Sequence, residues 1–585
     1  MPPVHAIFVG MAFKNRKICL ACFALLLSFS CPAVPPGSPF PEDLSFWSDY
    51  PDDVLADEIV RRMTDSELYS QMLMFGWAGA EPSALLDSWV SGRGLGSVKV
   101  FGWNTDSTDL VAKSISSLQK KAGSCRFRIP LFVATDQEGG WIRHVKGDTS
   151  ITPGNMALGA SAYPLDAWFS GYYICREIAA LGINMNFAPT VDLYTDKKST
   201  IIGTRSFGED PAGAGILGAA FAAGSMAAGV IPTAKHFPGH GDTESDSHVH
   251  LPSIGIDYDT FMRRELAPFR YIIRAGIPAV MSGHLSFPRI RPSGEPASLS
   301  EYFLGGILRE ELGYEGLVIT DDMMMNGATL YAGSLSNAFR MAVEAGNDII
   351  ISSATAQLDE ALWTANLKLM QESPEFRSKV CAAARRVILA KLKYFKGDNP
   401  APLYPDAGRI PDRIPDRDGV KFFMEQACRS ISVYRSSPAD VRPAGSGRVL
   451  LCGSEPAFFT AAGKRYASSG EFRFRYSMGP NEARWAADNI PSVAAGYDTV
   501  VFCVSDQNSA GVARSLRKLH DQGKKVVIFS IMSPVHVLGL EWADLVLCGY
   551  SYSPYTFEAL AGCCAGEFMP QGKIPLSGKQ SGGAE

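Results

Sequence analysis

The sequence carries little charge and no basic excess: 20% of its 585 residues are charged and the formal net charge is -5. That excludes the cationic surface on which nucleic-acid binding depends, and a neutral or mildly charged small ligand is the simpler expectation. Of its 12 cysteines three lie near the N-terminus, at 19, 22 and 31, and the other nine include no CxxC pair and no regular spacing, so neither a zinc module nor a disulfide framework is written in them. Cys452, Cys503 and Cys548 sit inside apolar, strand-like runs and read as small buried hydrophobes. No apolar run reaches the length of a comfortable bilayer span.

The apolar stretch 18–29 follows Lys14, Arg16 and Lys17, the pattern of an export signal, so residues 1–35 are expected to be a leader. Leu27-Ser-Phe-Ser-Cys31 fits a loose bacterial lipoprotein signal, in which a lipid on Cys31 would tether the chain to a membrane. Plain cleavage after Ala33 and an uncleaved anchor stay open beside it. Either of the first two places the protein in the periplasm or cell envelope.

What is abundant is βα patterning. Over 41–395, apolar runs at 96–101, 130–135, 184–188, 231–234, 278–282, 316–320 and 348–352 alternate with helical periodicity. Seven units predict an α/β fold, a (β/α)8-type TIM-like barrel with one strand missed or degenerate. Polar clusters follow the runs: Asp136-Gln-Glu-Gly-Gly, Pro189-Thr-Val-Asp192, Lys235 to Asp242, Gly283-His284 and Asp321-Asp322. In such a barrel, chemistry gathers at the C-terminal ends of the strands. Residues 396–419, rich in Pro and Asp with a tandem Ile-Pro-Asp-Arg, read as a linker. Runs at 449–452, 499–504, 525–530 and 545–548 predict a smaller α/β sandwich domain over 420–585.

The densest chemistry lies in 235–250, with four histidines, three acids and a lysine on a Gly/Pro-rich loop. Asp246 and His248, two residues apart, can face each other, so that the carboxylate orients the imidazole and supports its charged form. A zinc site using His236, His240, His248 and His250 competes, but Pro238 and Gly239 prevent the helix that would align the first two. Surface histidines of a mobile loop are the bland alternative. Asp321, at the end of an apolar run, suits a nucleophile pointing into a barrel mouth. Since neighbours leave a strand in opposite directions, Asp321 and Asp322 cannot both lead, and capping of the next helix is the alternative for each.

Together these motifs resemble family 3 glycoside hydrolases, specifically their β-N-acetylhexosaminidase branch in its two-domain form. The resemblance rests on Asp136-Gln-Glu-Gly-Gly140, Asn186-Phe-Ala-Pro189, Ile202 to Asp210, Lys235 to His250, Pro296-Ala-Ser-Leu-Ser300 and Ile319-Thr-Asp-Asp-Met323, and in the second domain on Gly566 to Pro575. It implies Asp321 as nucleophile of a retaining double displacement. His248 then serves as general acid and base, held by Asp246, where such enzymes normally use a carboxylic acid. An imidazole with an ordinary pKa of about 6.5 can both give and take the proton.

The resemblance further implies that Asp136, Arg205, Lys235 and His236 hold the sugar. Relatives often carry an arginine where this chain has His144, which leaves the contact beyond the cleaved sugar open. It implies an exo-acting enzyme on terminal β-linked N-acetylglucosamine, with peptidoglycan fragments as first source and chitin oligomers as second. No cofactor and no metal are expected, the second domain is structural or accessory, and the chain is expected to be a monomer. A β-glucosidase or β-xylosidase of the same family, a phosphate-using glycosidase and a non-catalytic envelope sugar binder remain alternatives.

Overall fold

The computed structural model describes residues 40–243, 250–436 and 447–577. The expected leader with Cys31, and the Asp246/His248 pair, lie outside the described residues.

Eight parallel strands close into a barrel in chain order. They are β1 (Leu73–Phe75), β2 (Ser97–Lys99), β3 (Phe132–Thr135), β4 (Met185–Asn186), β5 (Ile231–Phe237), β6 (Ala279–Ser282), β7 (Leu317–Asp322) and β8 (Ile349–Ser352), with β8 pairing back on β1. All seven anticipated strands are present, and β1 completes the ring. Its three residues begin two positions after the end of the helix Asp65–Gln71 and are all buried, so neither alternation nor a turn signal marks it.

Local chemistry sets the helices around the barrel. Thr64 and Glu67 form a reciprocal capping box that starts Asp65–Gln71. Ser107 caps Thr108–Gly123, whose Val111, Ile115, Leu118 and Ala122 recur at helical spacing and are buried. Asp210 accepts the amides of Ala212 and Gly213 and precedes Pro211 at the first helical position of Pro211–Ala227.

Residues 396–419 contain the short 3-10 helix Ala407–Asp412 and the beginning of the helix Arg417–Ser430. Asp416 caps that helix, and its own amide donates to buried Glu177 of the barrel at 3.0 Å. Six further strands form one sheet: β9 (Ser432–Ser436), β10 (Val449–Gly453), β11 (Ser469–Arg473), β12 (Thr499–Val504), β13 (Lys525–Ser530) and β14 (Leu545–Cys548). Their order is β9-β14-β13-β12-β10-β11, with only β9 antiparallel. Apolar clusters cover both faces, one around Val500, Phe502 and Ile528, the other around Val501, Val527 and Phe529, which makes this an α/β sandwich. The four central strands match the sequence reading. The two edges, β9 and β11, are polar and half exposed, as sheet edges commonly are, and so carry no apolar run.

Met156, Ala157 and Ala160 of the helix Asn155–Ser161 pack into the sheet's apolar cluster. Ser553 donates to the Ile151 carbonyl at 2.5 Å, Tyr194 and Ser533 share a hydrogen bond of 3.0 Å, and Arg429 pairs with Asp166 at 2.9 Å. From the same helix, Asn155 donates to the Arg205 carbonyl at 2.8 Å, so one element touches both the second domain and the barrel mouth.

Candidate active site

Adjacent strand residues normally face opposite sides, yet Lys235 and His236 are both buried in the barrel mouth. The cause is a slip in the β5–β6 register between Ala234 and Phe237, a bulge that re-aims one side chain; the Lys235–His236 peptide within it is cis. β7 does the same against β8. Ile319 faces Ile349 but Asp322 faces Ile351, so one extra residue is accommodated at the strand end that carries Asp321.

Lys235 Nζ donates to Asp136 Oδ1 at 2.5 Å and reaches Glu138 Oε1 at 2.7 Å, with all three side chains almost fully buried. Lys99 Nζ takes the other Asp136 oxygen at 2.9 Å. Arg205 makes a two-pronged contact with Glu138, at 2.9 and 2.7 Å. Burial alone would raise both acids. The charges of Lys235 and Lys99 instead hold Asp136 well below the usual carboxylate range, and those of Arg205 and Lys235 bring Glu138 down to about 2.

Gly139 lets this motif turn: its φ is 93°, and a Cβ there would stand 2.6 Å from Thr152 Oγ1. The chain then returns so that His144 Nδ1 lies 3.5 Å from Asp136 Oδ2. Burial pushes the His144 imidazole down to about 4, against the pull of Asp136, which leaves it neutral at neutral pH.

Asp192 organises the histidine segment. Its carboxylate accepts the His236 amide at 3.1 Å, the His240 amide at 2.7 Å and the His236 Nδ1 proton at 2.6 Å. It is held low because His236 outweighs the cost of burial. His236 Nε2 lies 3.4 Å from an Arg205 nitrogen. A Cβ on Gly241 would fall 1.7 Å from the Leu193 carbonyl, so only glycine lets the loop pass this close to the Asp192 segment.

Asp321 and Asp322 have separated tasks. Asp322 Oδ1 accepts the amides of Met324 and Ser353, both at 3.0 Å, a turn-fixing role of the capping kind considered for the pair. Among the described residues, Asp321 accepts only the Asp322 amide, at 2.8 Å. Burial would raise it, but the charges of His236, His284 and Lys99 bring it down to about 2. His284 is tied at both nitrogens, to Ser298 Oγ at 2.7 Å and the Asp322 carbonyl at 3.1 Å.

The structure thus gathers Asp136, His144, Arg205, Lys235, His236 and Asp321 at one end of the barrel. Lys99, Glu138, Asp192 and His284 were not singled out as site residues. Glu138, Asp192 and His284 stood in the polar clusters after the strands, and Lys99 was visible only as a charge inside an apolar run. Among the described residues, no group of three or more His, Cys, Asp or Glu is placed to hold a metal ion.

The carboxylates at the mouth share one property: Asp136, Glu138, Asp192 and Asp321 are all held ionised. None is a ready proton donor. Glu265 is the exception, pushed up to about 7 by burial, but it lies beneath the loop, against Gly239, with Arg264 on its other oxygen at 2.6 Å.

Comparison with known proteins places the chain in a family. The chain is 32% identical over 403 residues to "Beta-hexosaminidase A" of Pseudoalteromonas piscicida, covering 59% of this chain and 67% of that protein. It is 37% identical over 228 residues to a "Beta-hexosaminidase" of Neisseria gonorrhoeae, covering 38% of this chain and 62% of the relative. Among solved structures, a glycoside hydrolase family 3 beta-N-acetylglucosaminidase from Paenibacillus sp. str. FPU-7 superimposes with a TM-score of 0.78 at 27% identity, covering 88% of this chain and 99% of that one. Residues 63–390 match the model of the glycosyl hydrolase family 3 N-terminal domain, and the chain belongs to that family of glycoside hydrolases.

Proposed function

We propose that the protein is a retaining, exo-acting β-N-acetylhexosaminidase that removes terminal β-linked N-acetylglucosamine, with Asp321 as nucleophile. The observation that carries this reading is a buried carboxylate at the barrel mouth, held at about 2 and bonded, among the described residues, to one backbone amide. An ionised, lightly tethered carboxylate is what attack on an anomeric carbon requires. Asp321 forms a bond to that carbon as the glycosidic oxygen departs, giving a covalent glycosyl-enzyme that water then hydrolyses with net retention.

The departing oxygen needs a proton, and the carboxylates at the mouth are held ionised. This favours the histidine of the adjoining loop: His248 gives the proton and later withdraws one from water, with Asp246 holding the ring. Asp136 and His236, fixed by Lys99, Lys235 and Asp192, offer acceptors and donors to sugar hydroxyls, and Arg205 and Lys235 keep that set charged. The leader and the specificity together favour an exported enzyme acting on peptidoglycan fragments.

The test compares turnover of an aryl N-acetyl-β-glucosaminide by the native chain and by Asp321→Ala. A loss of about 10³-fold or more is expected for removal of a nucleophile, and equal rates would end the proposal. Product stereochemistry, followed with and without phosphate, separates hydrolysis with retention from phosphorolysis. His248→Ala should slow substrates with poor leaving groups most, because those depend on protonation; a uniform loss would contradict its role.

A further inference from the structure

Pro296-Ala-Ser-Leu-Ser300 stands out in the sequence, yet its residues are buried behind the barrel mouth. They form a 3-10 turn, Ala297–Leu299, that lies along the segment following β6. The amides of Ala297 and Ser298 donate to the carbonyls of Leu285 at 2.8 Å and Gly283 at 3.1 Å. From the other side Asn347, just ahead of β8, donates its side-chain amide to the Ser298 carbonyl at 2.8 Å and accepts the Ser282 hydroxyl at 2.7 Å. Ser282, His284, Ser298 and Asn347 are each at most 1% exposed. Clamped in this way, the Ser298 hydroxyl is presented to His284 Nδ1 at 2.7 Å.

The far side of the same ring meets the strand that ends in Asp321 and Asp322. His284 Nε2 lies 3.1 Å from the Asp322 carbonyl, and a carbonyl oxygen can only accept, so Nε2 carries the proton. Burial holds the imidazole below its ordinary 6.5 and favours the neutral ring, whose Nδ1 then accepts from Ser298. The hydroxyl thus selects the tautomer. Why the strand needs this contact follows from its bulge. The register against β8 slips between Ile319 and Asp322, and the Ile351 amide there donates to the Thr320 hydroxyl at 3.0 Å. A bulge disrupts the ladder locally, so a donor from outside the strand fixes the Asp322 carbonyl. The Asp322 amide in turn holds the Asp321 carboxylate at 2.8 Å.

We propose that His284 is a positioning residue for glycosidic cleavage: Ser298 sets its tautomer, and the proton it donates fixes the bulge from which the Asp321 carboxylate is aimed. The inference rests on the reading of Asp321 as nucleophile. His284 acts through the strand and not on the sugar, and a carboxylate displaced by about 1 Å from its line of attack loses about 10²-fold in rate. The Pro296 to Ser300 motif then serves the reaction from behind the mouth.

Two amide replacements in the full chain separate the donated proton from mere filling of space. In His284→Gln the side-chain nitrogen can stand where Nε2 does and donate to the Asp322 carbonyl, whereas the shorter side chain of His284→Asn reaches Ser298 but not that carbonyl. With an aryl N-acetyl-β-glucosaminide, kcat is expected to fall about 10²-fold in His284→Asn while KM and calorimetric binding of N-acetylglucosamine hold, and to recover by about tenfold in His284→Gln. Ser298→Ala removes only the hydroxyl and should lower kcat about tenfold, with the fold intact by circular dichroism. A native rate in His284→Asn, equal losses in the two amide variants, or a loss carried by KM and sugar binding would overturn the proposal. If His284→Asn does not fold, Ser298→Ala decides, and an unchanged kcat there refutes it. An Asp321→Ala chain that keeps the native rate would instead remove the nucleophile reading, whatever His284 does.

Discussion

Replacing Lys235 by methionine keeps the length of the side chain and removes its charge from between Asp136 and Glu138. The structure sets the size of the effect. Glu138 is brought from an ordinary 4.5 to about 2, and burial opposes that change, so its ion pairs stabilise the folded chain by about 3 kcal/mol at neutral pH. Arg205 supplies the larger part for Glu138, but Lys235 is the foremost cation acting on Asp136. Loss of one partner from such a buried network costs about 3 to 5 kcal/mol, or roughly 6 to 10 °C in apparent Tm at about 2 °C per kcal/mol for a chain of this size.

The pH dependence carries a sign. Both acids have depressed native pKa values, so their contribution is complete above the unfolded values, 3.8 and 4.5, and disappears as pH falls toward about 2. Thermal unfolding of the native chain and Lys235→Met, followed by circular dichroism, should therefore show a gap that is full at pH 7 and narrows below pH 4. A second change, Asp136→Asn, removes the anion that Lys235→Met leaves with Lys99 alone and should restore part of the loss, a coupling of about 1 kcal/mol or more. A gap under about 1 kcal/mol at pH 7, or one that stays constant down to pH 3, would refute the reasoning.

Three further changes probe other parts of the site. Asp192→Asn removes the anion that receives His236 Nδ1 at 2.6 Å, and kcat/KM should drop about 10²-fold as the ring loses its orientation; an unchanged value would mean that His236 does not depend on this anchor. Gly241→Ala places a methyl group against the Leu193 carbonyl and should cost activity together with about 2 kcal/mol or more of stability, read by unfolding and turnover. Glu265 keeps its proton up to about 7 in the folded chain but only to 4.5 when unfolded, so it makes stability fall as pH rises through that window, by up to about 3 kcal/mol. Glu265→Gln should then raise Tm more at pH 8 than at pH 5, and a pH-independent difference would contradict the assignment.

How much of this was readable beforehand followed from how each residue is positioned. Strands such as β12 and β13 announce themselves because both faces are buried and the run is unbroken, whereas β1 is three residues against a helix and β9 and β11 are polar edges. Residues whose roles lie in motifs after the strands, Asp136, Arg205, Lys235 and His236, could be named from sequence and do converge. Lys99 could not, because nothing local distinguishes a lysine that points into the mouth from one that snorkels outward. The simultaneous inward placement of Lys235 and His236 also lay beyond pattern reading, since strand alternation forbids it and only the bulge against β6 permits it.

The charge balance of the mouth adds a last step. Among the described residues, three of the four acids have a basic partner in direct contact: Asp136 has Lys99 and Lys235, Glu138 has Arg205 and Lys235, and Asp192 has His236. Asp321 has no such contact; the charges of His236, His284 and Lys99 hold it ionised without an ion pair, so its carboxylate stays open where, on the proposed mechanism, positive charge develops on the sugar ring. His144 preserves this distribution. Held down to about 4 by burial, it brings no cation to the mouth at neutral pH, whereas an arginine in its place would add one beside Asp136. A histidine at this position thus adds no positive charge beside Asp136 at neutral pH, independently of any contact His144 makes with the leaving group.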